Sequence, residues 1–401
     1  MPEETPNAFQ LLSAAVCADN VAETTRLLHD HPDLTHRLDD PLPDAPFGGT
    51  ALLRAAGARN REMIDVLLAH GADIDARSHW WAGSFGVLDH HSGLEDFLIE
   101  RGATVDAHAA ARLGKLDRLR ELVEADASVV HASGGDGQTP LHFAATIGIA
   151  AFLLDRGADI DARDIDHEST PAQYMIDHRQ DVARYLVSRG CRTDILMAAA
   201  LGDLDGVKRH LASDPASIET TVDPNHFPMR NPRAGGTIYN WTLGRSKTAH
   251  TVAKRFGREE VLAYLLDVTP APWKLVAACE VGDEDLVRSI LKSPPPIQYT
   301  GRLTDAAREN NTTAVRLMLV AGWPVAIADT DGVTALHWAG FHGNSAMAGE
   351  LLSHGAPLDA RDRNHDGTPL DWAEYGSRHG WYRETGDYPA VIAALRSQMA
   401  G

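Results

Sequence analysis

The chain of 401 residues is 44% hydrophobic, 23% charged and 6% aromatic, which is typical of a folded protein and excludes disordered, collagen-like and disulfide-scaffold chains. With 37 Lys and Arg against 56 Asp and Glu, its net charge of −19 disfavours nucleic acids and anionic lipids as partners. Three scattered cysteines, an acidic N-terminal stretch and the lack of a long apolar run predict a cytoplasmic protein with no membrane span.

Two phrases recur along the chain, and some of their copies are 33 residues apart. One phrase reads "LLAHGADIDAR" at 67–77, "LLDRGADIDARD" at 153–164 and "LLSHGAPLDARD" at 351–362. The other reads "DGQTPLHFAA" at 136–145, "DGVTALHWAG" at 331–340 and "DGTPLDWAE" at 366–374. Weaker copies fill much of the remaining sequence. Such self-similarity is typical of a repeat architecture.

The recurring phrases resemble the ankyrin repeat family, whose unit is a turn, T-P-L-H-x-A, two helices and G-A-D. The resemblance implies an all-α ankyrin-repeat solenoid of about twelve helix-turn-helix units with short finger loops. It also implies a single array over residues 1–401, closed by a C-terminal cap at 375–401, and a protein-recognition module without cofactor. We expect a monomer, because both ends of the array read as polar caps.

The residue types of the unit have physical reasons. A Thr before the first helix can cap free backbone N–H groups, and the Pro that follows lacks a donor where none is needed, as at Thr139–Pro140 and Thr170–Pro171. Gly after the second helix permits a left-handed turn. The His of T-P-L-H, at His142 and His337, is expected to bond neighbouring turns. Residues that depart from the repeat pattern are therefore the better candidates for function.

The first departure is the degenerate unit at 79–106, whose opening "HWWAGSFGVLDHHSG" replaces a capped helix. Trp80, Trp81, Asp89, His90 and His91 are crowded into this stretch. The sequence leaves two interpretations open: a shortened repeat in which the Trp pair fills the seam, or a set of ligand contacts.

The second departure is a finger that carries Asp164, Asp166, His167 and Glu168, one residue longer than its counterparts. These groups could hold a cation or act as acid and base. The alternative is structural, because Asp side chains often bond the backbone two residues on. No metal-ligand spacing is completed within the finger, so we expect no metal site.

The third departure is an insertion at 222–236, with Phe227, Met229, Arg230 and Arg233, before "GGTIYNWTLG" at 235–244, including Tyr239, resumes the pattern. An ordered insertion would place these side chains over the concave face of the array. A disordered Pro-rich excursion is the alternative.

The fourth departure is an aromatic residue at the fifth position of the first helix, counted from the Thr. This register contains Phe143, Tyr174, Trp241, Trp338 and Trp372. Helical geometry turns the position away from the buried Leu, toward the groove, where aromatic rings serve as anchors for partners. Packing between the first helices of adjacent units is the competing explanation.

Catalytic motifs such as HExxH, a P-loop or a Cys/His pair are absent from the sequence, and "AGSFG" at 82–86 lacks the strand-to-helix context of a nucleophile elbow. We therefore predict a non-catalytic module that binds a protein partner through its groove and fingertips. The predicted contact residues are Trp80, Trp81, Phe143, Asp164, Asp166, His167, Tyr174, Phe227, Arg230, Tyr239, Trp241, Trp338 and Trp372.

The alternative is an enzyme that acts on a small polar substrate, such as a sugar or polyol, by acid–base chemistry. Neighbouring units could bring their carboxylates and imidazoles, including Asp136, to one stretch of the groove. The candidate catalytic residues are Asp89, His90, His91, Asp166, His167 and Glu168.

Overall fold

A computed structural model describes residues 6–43, 45–90 and 92–399 of the chain. Its regular structure consists of helices and three isolated β-bridges, and no strand occurs among the described residues. Contacts divide the chain into two compact units: unit 1 is Met1–Thr193 with Phe227–Leu243, and unit 2 is Asp194–His226 with Gly244–Gly401. The all-α repeat fold expected from the sequence is confirmed.

Unit 1 consists of short helices, most of which form the antiparallel pairs of the repeats. Its α-helices are Ala8–Cys17, Val21–Asp30, Ala51–Gly57, Arg61–Ala69, Glu95–Glu100, Ala107–Arg112, Leu116–Ala125, Ile147–Asp155, Pro171–Met175, Gln180–Ser188 and Tyr239–Thr242. Its 3₁₀ helices are Pro32–Arg37, Pro46–Gly48, Ala127–His131 and Pro140–Phe143.

Unit 2 continues the helix pairs and ends with longer helices. Its α-helices are Ile195–Leu201, Leu204–Ser213, Ala249–Arg255, Glu259–Val268, Ala271–Val281, Glu284–Ile290, Arg302–Arg308, Thr312–Val320, Ala335–His342, Ser345–Ser353, Pro369–His379 and Tyr388–Met399. One 3₁₀ helix spans Pro215–Glu219. No helix among the described residues is both long enough and apolar enough to cross a bilayer.

The repeat phrases form the caps and turns that their residue types predict. Reciprocal side-chain and backbone bonds cap the first helices at Thr139, Thr170, Thr334 and Thr368. The glycines after the second helices, Gly71, Gly157, Gly190, Gly322 and Gly355, have φ angles between 80° and 96°. The expectation of a capped first helix and a left-handed turn after the second is confirmed.

The imidazoles of the T-P-L-H phrases tie each repeat to the next finger. His142 accepts a bond from the N–H of Thr139 at 3.0 Å, and its Nε2 donates to the carbonyl of Ser169 at 3.2 Å. His337 bonds Thr334 and Gly367 in the same way. Both histidines are buried, so these contacts satisfy groups that water cannot reach.

The segment 235–244 differs from the expectation that it resumes the repeat. Thr248 caps the helix Ala249–Arg255, which packs against Ile195–Leu201 within unit 2. A bridge between Thr221 and Thr248 closes this finger, so the insertion extends over 222–247. Tyr239–Thr242 packs instead against Pro171–Met175 in unit 1, where the ring of Tyr239 is fully buried. The segment "GGTIYNWTLG" thus resembles a repeat opening in sequence, but burial of the Tyr239 ring stabilises its packing in unit 1 instead.

Candidate functional sites

The degenerate unit is an ordered loop held by its own polar groups. The N–H of Phe85 donates to the hydroxyl oxygen of Ser78 at 2.9 Å, and the N–H of Ser78 donates to the carbonyl of Phe85 at 2.8 Å. Asp89 accepts from the guanidinium of Arg77 and from the N–H of Gly86, both at 2.7 Å. These contacts commit Asp89 to the loop. His90 stacks on Phe85 with ring centroids 4.9 Å apart, and His91 lies outside the described residues.

The Trp pair of this loop reaches other parts of unit 1. Trp80 donates its indole N–H to Oδ1 of Asp136 at 3.0 Å and packs edge-on against Phe47, with ring centroids 4.9 Å apart. The guanidinium of Arg233 lies 4.5 Å from the ring centroid of Trp81. Both indoles are half-buried, and the stacking of Arg233 on Trp81 brings the insertion into contact with the loop.

Asp164 holds the turn of its finger. Its carboxylate accepts the N–H groups of His167 and Ser169, both at 2.7 Å, and the hydroxyl of Tyr174 at 3.1 Å. Burial raises the pKa of Asp164 to about 6, although these bonds act in the opposite direction. Glu168 points away from this turn and accepts the N–H groups of Arg230 and Asn231, both at 2.9 Å, so it anchors the insertion.

Asp136, Asp166 and His167 face one another at the tips of two adjacent fingers. The Nε2 atom of His167 lies 3.6 Å from Oδ2 of Asp166 and 3.7 Å from Oδ2 of Asp136. Its Nδ1 bonds the carbonyl of Gly236 at 2.8 Å, and its ring lies 4.7 Å from that of Trp241. Burial lowers the pKa of His167, but Asp136, the Gly236 carbonyl and Asp164 raise it, and the net direction is upward.

The insertion residues have different roles. Phe227 packs edge-on against Tyr239, with ring centroids 5.3 Å apart, and both lie in unit 1. The side chain of Arg230 is exposed, while its backbone N–H bonds Glu168. Trp241 is 58% exposed and contacts His167. The insertion is longer than the predicted 222–236, and its side chains divide between contacts in unit 1 and exposed positions.

Three members of the predicted aromatic register pack on an imidazole of the preceding repeat. Each ring meets its His edge-on, at centroid distances between 5.3 and 5.7 Å: Phe143 on His108, Tyr174 on His142 and Trp372 on His337. Packing between adjacent first helices thus explains much of this register. Trp338 and Trp372 remain half-buried, so part of each ring is open to a ligand.

Unit 2 carries a concentrated aromatic surface around a cavity of about 780 Å³. We call this cavity the aromatic pocket; its rings are Trp338, Phe341, Trp372, Tyr375 and Trp381. The side chains come from Ala335–His342, from Pro369–His379 and from the residue that follows Gly380. Trp338 and Trp372 meet edge-on at 5.2 Å, as do Phe341 and Trp381 at 5.3 Å.

Charged groups also line the aromatic pocket. Its wall includes the carboxylates of Asp366, Asp371 and Glu374 and the guanidinium of Arg378. Asp366 pairs with Arg361 at 3.1 Å, and Glu374 pairs with Arg396 at 2.7 Å. The pocket lining thus holds three carboxylates and one guanidinium, and two of the carboxylates are already paired with arginines outside the lining.

The predicted aromatic register contains two of the five rings, Trp338 and Trp372, but not Phe341, Tyr375 or Trp381. A signal was present, because Phe341 and Tyr375 each follow a register Trp by three residues and so share its helix face. Trp381 has no such signal, since it lies beyond the helix end. Of the catalytic candidates, the structure brings together Asp166 and His167, with Asp136, and commits Asp89 and Glu168 to other contacts.

Comparison with known proteins identifies the repeats. A family model described as ankyrin repeats (3 copies) matches residues 107–197, 275–362 and 303–379, and one described as ankyrin repeat matches 47–76. Ankyrin repeat domain-containing protein SAT10 of Stachybotrys chartarum is 24% identical over 388 residues, which cover 82% of this chain and 20% of that protein.

Shorter similarities involve two animal proteins. Palmitoyltransferase Hip14 of Drosophila melanogaster is 33% identical over 89 residues, 21% of this chain and 14% of that protein. Ankyrin repeat and SAM domain-containing protein 6 of Mus musculus is 29% identical over 101 residues, 24% of this chain and 11% of that protein. The chain thus spans a fifth or less of the length of these relatives.

Proposed function

The chain belongs to the ankyrin repeat family, a family of protein-interaction modules, and from that premise we propose that it binds a protein partner without chemistry. We further propose that the aromatic pocket is the anchor of this interaction. In this proposal, a Lys or Arg side chain of the partner enters the pocket. The observation that carries the proposal is the convergence of five aromatic rings and three carboxylates on one open cavity.

Exposed rings support a binding role for the pocket. Trp381 is 69% exposed and Tyr375 is 56% exposed. Large apolar side chains left in water are costly, and aromatic residues are enriched among the anchors of protein interfaces. A partner side chain that covers these rings would remove their apolar surface from water, which favours binding.

The charge of the pocket selects the class of side chain. An aromatic face attracts a cation placed within about 6 Å of its centroid, worth roughly 0.5–2 kcal/mol. Asp371, which has no arginine ion pair among the described residues, also attracts a cation, whereas Asp366 and Glu374 share their charge with Arg361 and Arg396. The whole chain has a net charge of −19, which favours a cationic partner. A neutral apolar side chain would fill the space but gain neither contribution.

Acid–base chemistry on a sugar or polyol, the alternative from the sequence, has weaker support. Asp166 and His167 remain close to each other, whereas Asp89 holds Arg77 and Glu168 holds the backbone of the insertion. The protein-binding proposal is therefore preferred.

Short peptides test the proposed pocket. Three Gly/Ser peptides, identical except for a central Lys, Arg or norleucine, are titrated into the purified chain, and the indole N–H signals of Trp338 and Trp372 are followed by NMR. We expect the Lys and Arg peptides to shift these signals and to bind at least several-fold more tightly than the neutral norleucine peptide. Added salt is expected to weaken the cationic peptides selectively.

Two variants with the same substitution complete the test. Trp381→Ala removes an exposed ring of the pocket, whereas Trp241→Ala removes an exposed ring of unit 1. Binding should be lost in the first variant and kept in the second. Equal binding of norleucine and Lys peptides, or full binding by Trp381→Ala, would refute the proposed specificity.

A further inference from the structure

We propose that Asp136, Asp166 and His167 of unit 1 form a binding site for one divalent transition-metal cation. The ligands would be Oδ2 of each carboxylate and Nε2 of the imidazole. This site is separate from the aromatic pocket, and it does not depend on the protein-binding function proposed above. Its ligands come from two repeats, which is why the spacing within one finger does not reveal it.

Backbone bonds hold the two fingertips side by side. The carbonyl of Asp136 accepts the N–H of Ile165 at 2.9 Å and the N–H of Asp166 at 3.1 Å. The turn that follows is fixed by Asp164, whose carboxylate accepts the N–H of His167. The three side chains are therefore positioned by main-chain geometry, and their approach does not depend on their attraction for one another.

The spacing of the ligand atoms fits a single ion. Nε2 of His167 lies 3.6 Å from one carboxylate oxygen and 3.7 Å from the other, and all three atoms lie within 4.8 Å of one another. Ligands about 2.0–2.2 Å from a tetrahedral Zn²⁺ are roughly 3.4 Å apart. The two distances from Nε2 are close to that value and too long for direct hydrogen bonds.

The tautomer of His167 directs a lone pair into the site. A backbone carbonyl can only accept, so the 2.8 Å contact with Gly236 places the ring proton on Nδ1. In the neutral ring Nε2 then carries a lone pair, and it faces two carboxylate oxygens without a hydrogen-bond partner among the described residues. His167 is only 8% exposed. A cation between these atoms would relieve their mutual repulsion, and the bond from Nδ1 to a carbonyl is typical of metal-binding histidines.

In each carboxylate, as in the imidazole, one atom is held by a hydrogen bond and the other faces the site. Oδ1 of Asp136 accepts the indole N–H of Trp80 at 3.0 Å, and Oδ1 of Asp166 accepts the N–H of Gly235 at 3.1 Å. In the described part of the chain, neither Oδ2 receives a hydrogen bond. One oxygen of each group is thus held in place while the other faces His167, as for a carboxylate ligand with an outer partner.

The insertion closes one side of the site. A Cβ atom at Gly235 would lie 3.1 Å from Oδ2 of Asp166 and 3.4 Å from Cε1 of His167. A side chain at this position would press against both ligand groups, so Gly235 leaves their geometry undisturbed. The ring of Trp241 covers His167 from another direction. This enclosure lowers the access of water to the ligand atoms, which strengthens their attraction for a cation.

The ligand chemistry selects the class of ion. An imidazole and two carboxylates suit Zn²⁺, Co²⁺ or Mn²⁺, whereas Mg²⁺ and Ca²⁺ prefer six or more oxygen ligands. Three protein ligands would leave a fourth position for water or for a ligand group. The site would therefore be open, unlike a purely structural zinc site.

Metal titration of the full, untagged chain tests the proposal. After treatment with EDTA and dialysis, Zn²⁺ binding is measured by calorimetry, and the absorption bands of bound Co²⁺ report the ligand geometry. We expect one ion per chain, a rise in Tm with Zn²⁺, and no displacement by excess Mg²⁺. Asp136→Asn and Asp166→Asn can keep the bonds from Trp80 and Gly235 while removing a charged ligand. Each should weaken Zn²⁺ binding by roughly 100-fold or more.

A matched control separates this site from general binding to surface histidines. His226 and Asp223 form an exposed pair in unit 2, with Nδ1 and Oδ1 3.0 Å apart. His226→Gln should leave the stoichiometry and affinity unchanged, and circular dichroism should show that all variants are folded. A wild-type chain that takes up no Zn²⁺, or one whose binding survives both Asp→Asn substitutions, would show that His167 forms only an ion pair with its carboxylates.

Discussion

The indole N–H of Trp372 donates to Oδ2 of Asp362 at 2.9 Å, so the first helix of this repeat is tied to its own finger. The same carboxylate accepts the backbone N–H groups of His365 and Gly367. In unit 1 the hydroxyl of Tyr174 contacts Asp164 in the equivalent way, at 3.1 Å. The polar edge of the aromatic register therefore has a structural role, while the ring face stays available for contacts.

This bond predicts different effects of the same substitution at two Trp positions. Trp372→Phe removes a donor to a carboxylate and should lower the free energy of unfolding by about 1–2 kcal/mol. In Trp338, the buried Nε1 has no hydrogen-bond partner among the described residues. Trp338→Phe removes that unsatisfied group and should cost less, as measured by urea denaturation. Equal losses in the two variants would contradict the assigned role of the Asp362 bond.

Acid stability should depend on His142. Burial lowers its pKa from 6.5 to about 4, so the unfolded chain takes up a proton before the folded chain does. The contribution of His142 to stability is thus complete above about pH 6.5 and decreases as the pH falls toward 4. The loss would be on the order of 2–3 kcal/mol.

His142→Gln tests this linkage with a residue that the chain already uses in the same place. Gln173 accepts the N–H of Thr170 at 2.9 Å, as His142 does for Thr139. The variant should show a flatter dependence of unfolding midpoint on pH between 7.5 and 5. His178→Gln, at a side chain that is 85% exposed, is the control and should retain the wild-type slope.

Close contact between two helices of unit 2 requires glycine. A Cβ atom at Gly340 would lie 2.6 Å from the carbonyl oxygen of Pro369, and one at Gly376 would lie 2.4 Å from that of Phe341. Gly340→Ala and Gly376→Ala should each destabilise the chain by about 1–3 kcal/mol, because backbone must move. A Cβ at Gly349, also within a helix, would meet nothing within 4 Å. Gly349→Ala should stabilise the chain by about 0.5–1 kcal/mol. Thermal denaturation of the three variants and the wild type measures these differences.

A buried ion pair in unit 2 gives a further test. Arg302 contacts Oε1 of Glu280, and its guanidinium also bonds the carbonyl of Ser246 at 2.8 Å. Burial raises the pKa of Glu280, although Arg302 opposes this. Arg302→Met leaves a buried carboxyl without its cation and should cost about 3–5 kcal/mol.

The double variant Glu280→Met/Arg302→Met removes both buried charges. It should recover most of the stability lost in the single variant, because two apolar side chains need no solvation. Guanidinium denaturation of the single and double variants measures the difference. If the double variant is as unstable as Arg302→Met alone, the loss comes from packing and from the bond to Ser246.

The sequence predicted the parts of this fold that local chemistry determines. Residue type and position are sufficient to predict the caps at Thr139 and Thr368. The same holds for the left-handed backbone conformation of Gly157 and for the structural role of His142. Each needs only a few neighbouring residues, so a repeated phrase is sufficient evidence.

The sites were predicted less completely because their geometry depends on contacts between repeats. The approach of Asp166 and His167 to Asp136 was anticipated from the adjacency of the fingers, but backbone donors bind Glu168 elsewhere. The aromatic pocket requires the close helix approach at Gly340 and Gly376, which no periodicity reveals. The phrase at 235–244 was misleading because the burial of Tyr239 determines where it packs.

The return of Phe227–Leu243 to unit 1 limits how this chain can be shortened. Ordinary repeat arrays are modular, since each repeat contacts only its neighbours. A fragment ending at Thr193 would lack Gly235, Gly236 and Trp241, and with them the contacts that orient Asp166 and His167. Deletion of a repeat between Thr193 and Phe227 would shorten the chain segment that connects the insertion to the rest of unit 1. The insertion thus links parts of unit 1 that are far apart in sequence, so residues 136–167 and 227–243 have to be kept together in any shortened chain.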